Sequence, residues 1–401
     1  MAWRRRGTAG LPRDIWAIGL VSLLMDASSE LVHSLLPVLL VSTLGASMAT
    51  LGLLEGLAEA TSSITKVFSG ALSDHWRKRK SLAVAGYALG ALTKPVFPLA
   101  TSVGWVFAAH IVDRIGKGIR GAPRDALVAD ITPPALRGAA YGLRQALDSV
   151  GALLGPLLAI VLLARFANDI PTVLWAGVIT SAVAVVVLIV TVREPNLAPA
   201  PGALRVPLSW RTVTALPRPF WWVVALAAVV MLARFSEAFL VMHARDVGLG
   251  LGWVPAVMMV LSAAYALGAY PAGLAADRFG PRGLLTVGLL VLVGADLLLA
   301  RAHGPMTVFA GAALWGLHMA LTQGLLSKLV ADTASSDRRG TAFGVFNLVG
   351  GVAMLMASTL AGLVWTTGGP AATFLTGGCL AAIAAAGVMM APASTPVAGR
   401  S

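Results

Sequence analysis

Two segments of this 401-residue chain repeat one another, SGALSDHWRKRK at residues 69–80 and AGLAADRFGPRG at residues 272–283. In both copies a Gly precedes an Asp by four positions, and basic residues follow. A second pair, ADITPPALRGAAYG at 129–142 and ADTASSDRRGTAFG at 331–344, recurs with nearly the same offset. Two matched pairs at one spacing indicate an internal duplication, so the sequence predicts two halves of the same fold.

The composition is that of a membrane protein. The chain is 57% hydrophobic and 12% charged, whereas soluble domains are about 25% charged. Apolar stretches of roughly 20 residues, enough to cross the hydrocarbon core, recur along the whole chain. We predict an all-α integral membrane protein with twelve transmembrane helices in two six-helix, pseudo-symmetric halves. The predicted spans are 14–42, 49–72, 81–100, 105–130, 138–164, 172–192, 219–242, 253–275, 284–302, 306–330, 341–366 and 371–391.

A Pro-rich segment, REPNLAPAPGALRVPLSWRTVTALPRP at 193–219, divides the spans. We therefore predict an N-terminal half at 1–194, a cytoplasmic linker at 195–218 and a C-terminal half at 219–401. The net charge of +12 is concentrated in alternate connections, which predicts both termini in the cytoplasm. This placement indicates contact with anionic lipid and argues against nucleic acid.

The sequence holds few signs of other functions. The basic N-terminus leads into a long span without a small-residue cleavage site, so we expect a retained helix. A single cysteine, Cys379, rules out an intrachain disulfide. The chain has no nucleotide-binding Gly-x-x-x-x-Gly-Lys-Ser/Thr loop. With no nucleophile triad or zinc motif either, we do not expect an enzyme.

Because of these repeats, the chain resembles the major facilitator superfamily over essentially its full length. Residues that resemble the signature loop of that family are Gly70, Asp74, Arg77 and Arg79 in the first copy and Gly273, Asp277 and Arg278 in the second. The resemblance implies a latch between helices at the cytoplasmic side; the alternative is a solvated turn with a topology signal. The first copy lacks the glycine that the second has at Gly280.

Two further elements resemble the same family. Arg114 and Gly118 match its Arg-x-x-x-Gly element, and GALLGP, with Gly151, Gly155 and Pro156, resembles the motif associated with proton antiporters. The resemblance implies a secondary transporter, and the second motif implies export by proton antiport.

Predicted span 4 carries the charged sequence DRIGKGIRGAPRD at 113–125. If the span starts near Trp105, Arg114 lies about 13 Å along it, close to the bilayer midplane. We expect the outer bases of this span, Lys117, Arg120 and Arg124, to extend toward the cytoplasmic surface. Pro123 predicts a bend or an end of the regular helix.

Other spans carry charged stripes at helical spacing. An isolated charge at the bilayer centre costs ~2.5 kcal/mol or more, so we expect these groups to face a shared polar interior. The candidates for proton coupling or for a substrate cavity are Asp26, Glu30, His33, Glu59, Arg114, Arg144, Asp148, Arg234 and Glu237. We expect the Glu55 side chain to be exposed to solvent at the outer end of its span.

Several of these groups have two readings. Asp26 and Glu30 could carry protons or bind a cation, or could form ion pairs with Arg114 or Arg144. Arg114 could be the counter-ion that returns a carboxyl group to its ionised state, or it could bind an anionic solute. Two further pairs could have a structural role only. These are Arg144 with Asp148, as an i, i+4 pair, and Arg234 with Glu237, as an ion pair lining the cavity.

The leading hypothesis is proton-coupled export of a small organic solute across a bacterial-type inner membrane. The transporter would be a monomer that needs no cofactor and is driven by a proton or ion gradient. Its partners would be solute, protons and membrane lipid. One alternative is a divalent metal exporter with Asp26, Glu30 and His33 as ligands. Others are an organic-anion uptake permease and, with less support, a receptor or scaffold.

Overall fold

In a computed structural model, the described residues are 10–76, 78–195, 213–334 and 339–390. The first six helices are α1 (Arg13–Val38), α2 (Met48–Trp76), α3 (Arg79–Thr93), α4 (Val103–Ile131), α5 (Arg137–Arg165) and α6 (Ile170–Thr191). A π-helical turn, Leu39–Thr43, extends α1. A single helical turn, Val96–Leu99, follows α3.

The later helices begin with α7, which has two segments, Arg218–Ala233 and Ala238–Asp246. The next are α8 (Pro255–Phe279), α9 (Pro281–Ala300) and α10 (Pro305–Thr333). The stretch Arg339–Met390 turns at Gly369, where φ is 76°, so it comprises α11 (339–368) and α12 (370–390). Glycine adopts this φ without strain, and Pro370 suits the first position of the next helix.

The twelve-helix prediction is confirmed. Within the described ranges, nine helical stretches are long and apolar enough to cross a membrane, and one of them, Arg339–Met390, contains two spans. The other two spans are α2 and α4, which have 29 residues each. Their charged stripes make them more polar than the rest.

Pro123 does not end its helix. α4 continues through it to Ile131, so of the two predicted alternatives, a bend or an end, the end is wrong. A proline removes one backbone donor, and membrane helices tolerate this loss where neighbouring helices and side chains satisfy the freed groups.

The first compact unit comprises Met1–Leu39 and Ile64–Arg205. In it α1 packs against α5 and α6, and α3 packs against α4. Its core combines residues from all of these helices: Ile15, Ile18, Val21, Met25, Ala83, Tyr87, Leu127, Val128, Ala140, Ala184, Leu188 and Val192.

The second compact unit comprises Leu40–Ser63 and Val206–Ser401. In it α8 packs against α10, and α9 packs against α10 and the α11–α12 stretch. The first half of α2 belongs here because it packs on α11: a Cβ at Gly362 would lie 2.5 Å from the Met48 carbonyl oxygen. The predicted division at 1–194, 195–218 and 219–401 differs from these units at residues 40–63. It stays a prediction, since most of the linker lies outside the described residues.

Glu194, just beyond α6, caps the N-terminus of α3. Its carboxylate accepts hydrogen bonds from the backbone N–H groups of Lys80 and Ser81, each at 2.9 Å, and from the Ser81 hydroxyl at 3.0 Å. A carboxylate at this position satisfies orphan donors and complements the helix dipole.

We expect Glu194→Ala to lower the stability of the protein by ~1 kcal/mol, the usual cost of losing a helix cap. Thermal unfolding of the purified protein in detergent would measure the change. Ser81→Ala, which removes only the side-chain bond, is the matched control and should have a smaller effect. Equal melting temperatures for Glu194→Ala and the wild type would contradict the capping role.

Candidate functional site

Glycines of α5 bring this helix against the acidic face of α1. A Cβ at Gly151 would lie 2.5 Å from the Leu23 carbonyl oxygen and 3.1 Å from the Asp26 Cβ. A Cβ at Gly155 would lie 2.9 Å from the Glu30 Cβ. The motif that resembles the antiporter element therefore lies directly against the two acids of α1. Within this motif Pro156 is buried and α5 continues through it.

Four charged residues of α4 and α5 form a network that we call the arginine junction: Arg124, Asp125, Arg144 and Asp148. Arg144 Nη1 donates to Asp148 Oδ2 at 2.8 Å and lies 3.7 Å from Asp125 Oδ1. Arg124 lies 3.4 Å from Asp125 Oδ1 and 3.9 Å from Asp148 Oδ1. Its Nη1 also donates to the Ser22 hydroxyl of α1 at 3.2 Å. Three helices thus meet at two guanidinium groups and two carboxylates.

Asp26 is a third acid beside this junction. It is half-buried on α1, one turn after Ser22, and lies within electrostatic range of Arg124 and Asp148. No ion pair among the described residues includes Asp26. Since the junction already has equal numbers of acids and bases, an ionised Asp26 would add an unbalanced negative charge.

The arginines of the junction decide between two earlier interpretations of Arg144 and overturn one expectation for Arg124. Arg144 pairs with Asp148 and Asp125 rather than with the acids of α1, so the i, i+4 pair is formed. Arg124 was expected to extend outward, and this expectation is wrong: only 16% of its side chain is exposed. Its partners on α1 and α5 hold it inside the unit.

A second buried cluster joins α3 to α4, and sequence reasoning missed its central residue, Lys94. The Lys94 ammonium lies 3.1 Å from Asp113 Oδ1, and these side chains are only 2% and 4% exposed. The guanidinium of Arg120 lies 4.8 Å from the centre of the Tyr87 ring. Arg114 Nε is 3.9 Å from Asp113 Oδ2. The signal in the sequence was a lone lysine inside an apolar run.

Glycines, which have no side chain, allow α3 and α4 to approach each other closely at this cluster. A Cβ at Gly86 would lie 2.7 Å from the Gly116 carbonyl oxygen, and the reverse distance is also 2.7 Å. The buried bases of α4 are therefore held close to Asp113 and to an aromatic face. This arrangement weakens their interpretation as anchors for an anionic solute.

The remaining acids of the first spans do not form a metal site. Across the described ranges, no group of three or more His, Cys, Asp or Glu residues could hold a metal ion. Glu30, Glu59 and Arg114 each take part in polar or electrostatic interactions. His33 is half-buried and lies within electrostatic range of Arg114, a neighbour that would repel a metal cation.

In the second unit, α7 is interrupted at residues 234–237. Among the described residues no ion pair joins Arg234 to Glu237, although the sequence favoured one. Ser236 fills the break instead: its N–H donates to Ser358 Oγ at 3.2 Å and its hydroxyl donates to Glu55 Oε2 at 3.1 Å. Glu55 is only 6% exposed, so the expectation that its side chain is exposed to solvent is wrong.

The predicted latch is described only in part. Arg77 and the side chains of Asp74 and Asp277 lie outside what the structure describes. Arg79 is buried; it donates to Ser73 Oγ at 2.7 Å and to Asp130 Oδ2 at 3.1 Å. It thereby joins the end of α2 to the end of α4.

The second copy of the loop turns at Gly280, where φ is 79°, a value that favours glycine. Gly273 lines a cavity of about 280 Å³ between α8 and α10, and Arg278 is exposed. In the first copy Gly70 packs near Ala122, with 3.5 Å between a Cβ built on it and the Ala122 Cβ. The latch itself stays a prediction.

We expect Gly155→Ala to destabilise the protein by ~1–3 kcal/mol, the usual cost of overpacking, because the added methyl group would meet α1 backbone at 2.6 Å. Thermal unfolding in detergent measures this loss. Gly142→Ala is the matched control on the same helix, with open space around its Cβ. If both variants melted at the same temperature, the close α1–α5 contact would be refuted.

We expect Lys94→Met to cost about 3 kcal/mol, because it leaves Asp113 buried without its nearest cation. The double variant Lys94→Met with Asp113→Asn should recover much of the lost stability, since both charges are then absent. Denaturation of the wild type, both single variants and the double variant gives the coupling energy. Additive losses would show that the pair contributes nothing.

Comparison with known proteins identifies the family. The family model described as Major Facilitator Superfamily matches residues 18–262 and 238–401. An uncharacterized MFS-type transporter of Methanocaldococcus jannaschii is 30% identical over 381 residues, 93% of each chain. The multidrug resistance protein MdtH of Edwardsiella ictaluri is 27% identical over 339 residues, 82% of this chain and 80% of that protein.

The fold is also that of solved transporters. A POT family transporter superposes with a TM-score of 0.80 at 13% identity, over 95% of this chain and 96% of that one. At this identity the likeness shows the fold alone. The family match shows that the chain belongs to the major facilitator superfamily and is a multi-pass membrane transporter.

Proposed function

We propose that this transporter exports a small organic solute in exchange for protons, by alternating access. The observation that carries the proposal is the place of Asp26. It is half-buried, lies against Gly151 of α5, and adds a third acid to a junction that is already balanced. A carboxyl group at such a contact can change the charge of the junction by taking up or releasing one proton, and the proposal assigns it that role.

Protonation of Asp26 would redistribute the contacts of Arg124. When Asp26 is ionised, it competes with Asp148 for this guanidinium. When Asp26 is neutral, Arg124 is left to Asp148, Asp125 and the Ser22 hydroxyl. Because α1, α4 and α5 each contribute a group, the change biases how these helices pack, which is how a bound proton selects a conformation.

Glu30 is the second proton carrier in this proposal. It follows Asp26 by one helical turn and lies against Gly155 as Asp26 lies against Gly151. A proton could thus be held at either of two neighbouring positions along the same α1–α5 contact.

The export direction is supported by the MdtH relatives, whose name is multidrug resistance protein. In this proposal the protein resides in a bacterial-type inner membrane with both termini in the cytoplasm. It works as a monomer, uses no cofactor and is driven by the proton gradient.

The two alternatives have less support. An anion permease needs bases that are free to meet solute, but Lys94 and Arg120 are engaged within the α3–α4 cluster. A metal exporter needs a group of ligands, and the described residues do not assemble one.

The proposal is tested in proteoliposomes that contain a pH dye, with an inside-acid gradient and candidate organic cations, organic anions and divalent metals added in turn. We expect solute-dependent proton flux in the wild type and a fall of at least ~10-fold in Asp26→Asn, as for loss of a proton-transfer group. Glu30→Gln should also reduce the flux.

Asp14→Asn is the matched control, since this acid lies in the first turn of the same helix. Exchange of labelled for unlabelled solute should survive in Asp26→Asn, because exchange needs no net proton movement. Solute uptake without proton flux, unchanged in both variants, would refute proton antiport and make these acids structural.

A further inference from the structure

The second unit buries a carboxyl group that has no charged partner. Asp296 of α9 is 0% exposed. Its Oδ1 accepts a hydrogen bond of 2.9 Å from Trp315 Nε1 of α10. Its Oδ2 has no hydrogen-bond partner, and no ion pair of the described residues includes Asp296. Among the described residues, one hydrogen-bond donor thus stabilises this carboxyl group.

The free oxygen lies beside the interruption of α7. A Cβ at Gly377 of α12 would be 2.9 Å from Asp296 Oδ2, 2.9 Å from the Phe235 ring and 3.3 Å from the Ala233 carbonyl oxygen. Ala233 ends the first segment of α7, and Phe235 lies in the break. Asp296 Oδ2, the Phe235 ring and the Ala233 carbonyl oxygen therefore all border the same small space beside the Gly377 backbone.

Among the described residues, His243 and His318 contact α9, and both bond to its backbone instead of to Asp296. His243 of the second α7 segment contacts the Leu299 carbonyl oxygen through Nε2 at 2.9 Å. His318 of α10 contacts the Gly288 carbonyl oxygen through Nδ1 at 2.8 Å. Each of these ring nitrogens must carry a proton to make its bond, and neither supplies a bond to the carboxyl group.

An ionised carboxylate in this place would cost far more than one hydrogen bond returns. We propose that Asp296 is a second proton-binding site. It holds a proton on Oδ2 while the break in α7 covers it, and releases the proton to water when the break moves away. This inference rests on the proton coupling proposed above and extends it to the second unit.

Infrared spectroscopy of the purified full-length protein at neutral pH tests the proton directly. The difference between the wild type and Asp296→Asn should contain the carbonyl band of a protonated carboxylic acid, which shifts in D₂O and disappears reversibly on alkaline titration. Trp315→Phe should move the band to higher frequency, because the oxygen loses its donor. Asp14→Asn should leave it unchanged.

Asp296→Asn is suited to this test because asparagine mimics the neutral acid and can still accept from Trp315. A difference spectrum without the acid band would show that Asp296 is ionised, and would overturn the proposal. A band that neither exchanges in D₂O nor titrates would also overturn it, since a site that never meets water cannot carry protons.

The transport assay gives a second readout. Asp296→Asn should lower gradient-driven proton flux several-fold and retain solute exchange; unchanged flux would overturn the proposal. If the wild type shows no proton flux with any solute, the proposed function fails. The infrared band still decides whether Asp296 binds an exchangeable proton, so the two failures are distinguishable.

Discussion

A charged side chain in the hydrocarbon core must be paired with an opposite charge, and an unpaired acid must be neutralised by a proton. This constraint governs the polar interior of both units. Each buried group meets it differently. Lys94 and Asp113 neutralise each other in a buried contact. Arg124 and Arg144 share two carboxylates. Asp296 has no ion pair among the described residues, and the proton that we propose for it would keep it neutral.

The glycines decide which of these charges meet. Without a hydrophobic force between helices in lipid, small residues permit the close backbone contacts that hold a bundle together. Gly86 and Gly116 make such a contact at the Lys94–Asp113 pair, and Gly151 makes one at Asp26. The positions that fix helix packing are therefore also the positions that fix the electrostatic neighbours of the acids.

The sequence was sufficient for features that depend on one helix or on span length. It predicted twelve helices and offered the Arg144–Asp148 pair as one of two interpretations, because hydropathy and i, i+4 spacing are local. It did not predict that Lys94 would be buried or that Arg124 would turn inward. Those outcomes depend on how each helix is rotated about its axis and on which neighbour it meets. The break in α7 also escaped prediction, since RFSE at 234–237 contains neither proline nor glycine.

The two units share a repeat in sequence but differ in how a proton would act on them. In the first unit, Asp26 adjoins a network that spans α1, α4 and α5, so a change in its charge is distributed over three helices. In the second unit, the hydrogen bond that the described residues give Asp296 comes from Trp315, and its other oxygen lies beside Gly377 near the interruption of α7. A change of charge there acts on one local packing contact. The two halves therefore differ: Asp26 adjoins a network of ion pairs, whereas Asp296 has no ion pair among the described residues. The repeat preserves the loops and the helices, but the partners of the buried charges differ between the two copies.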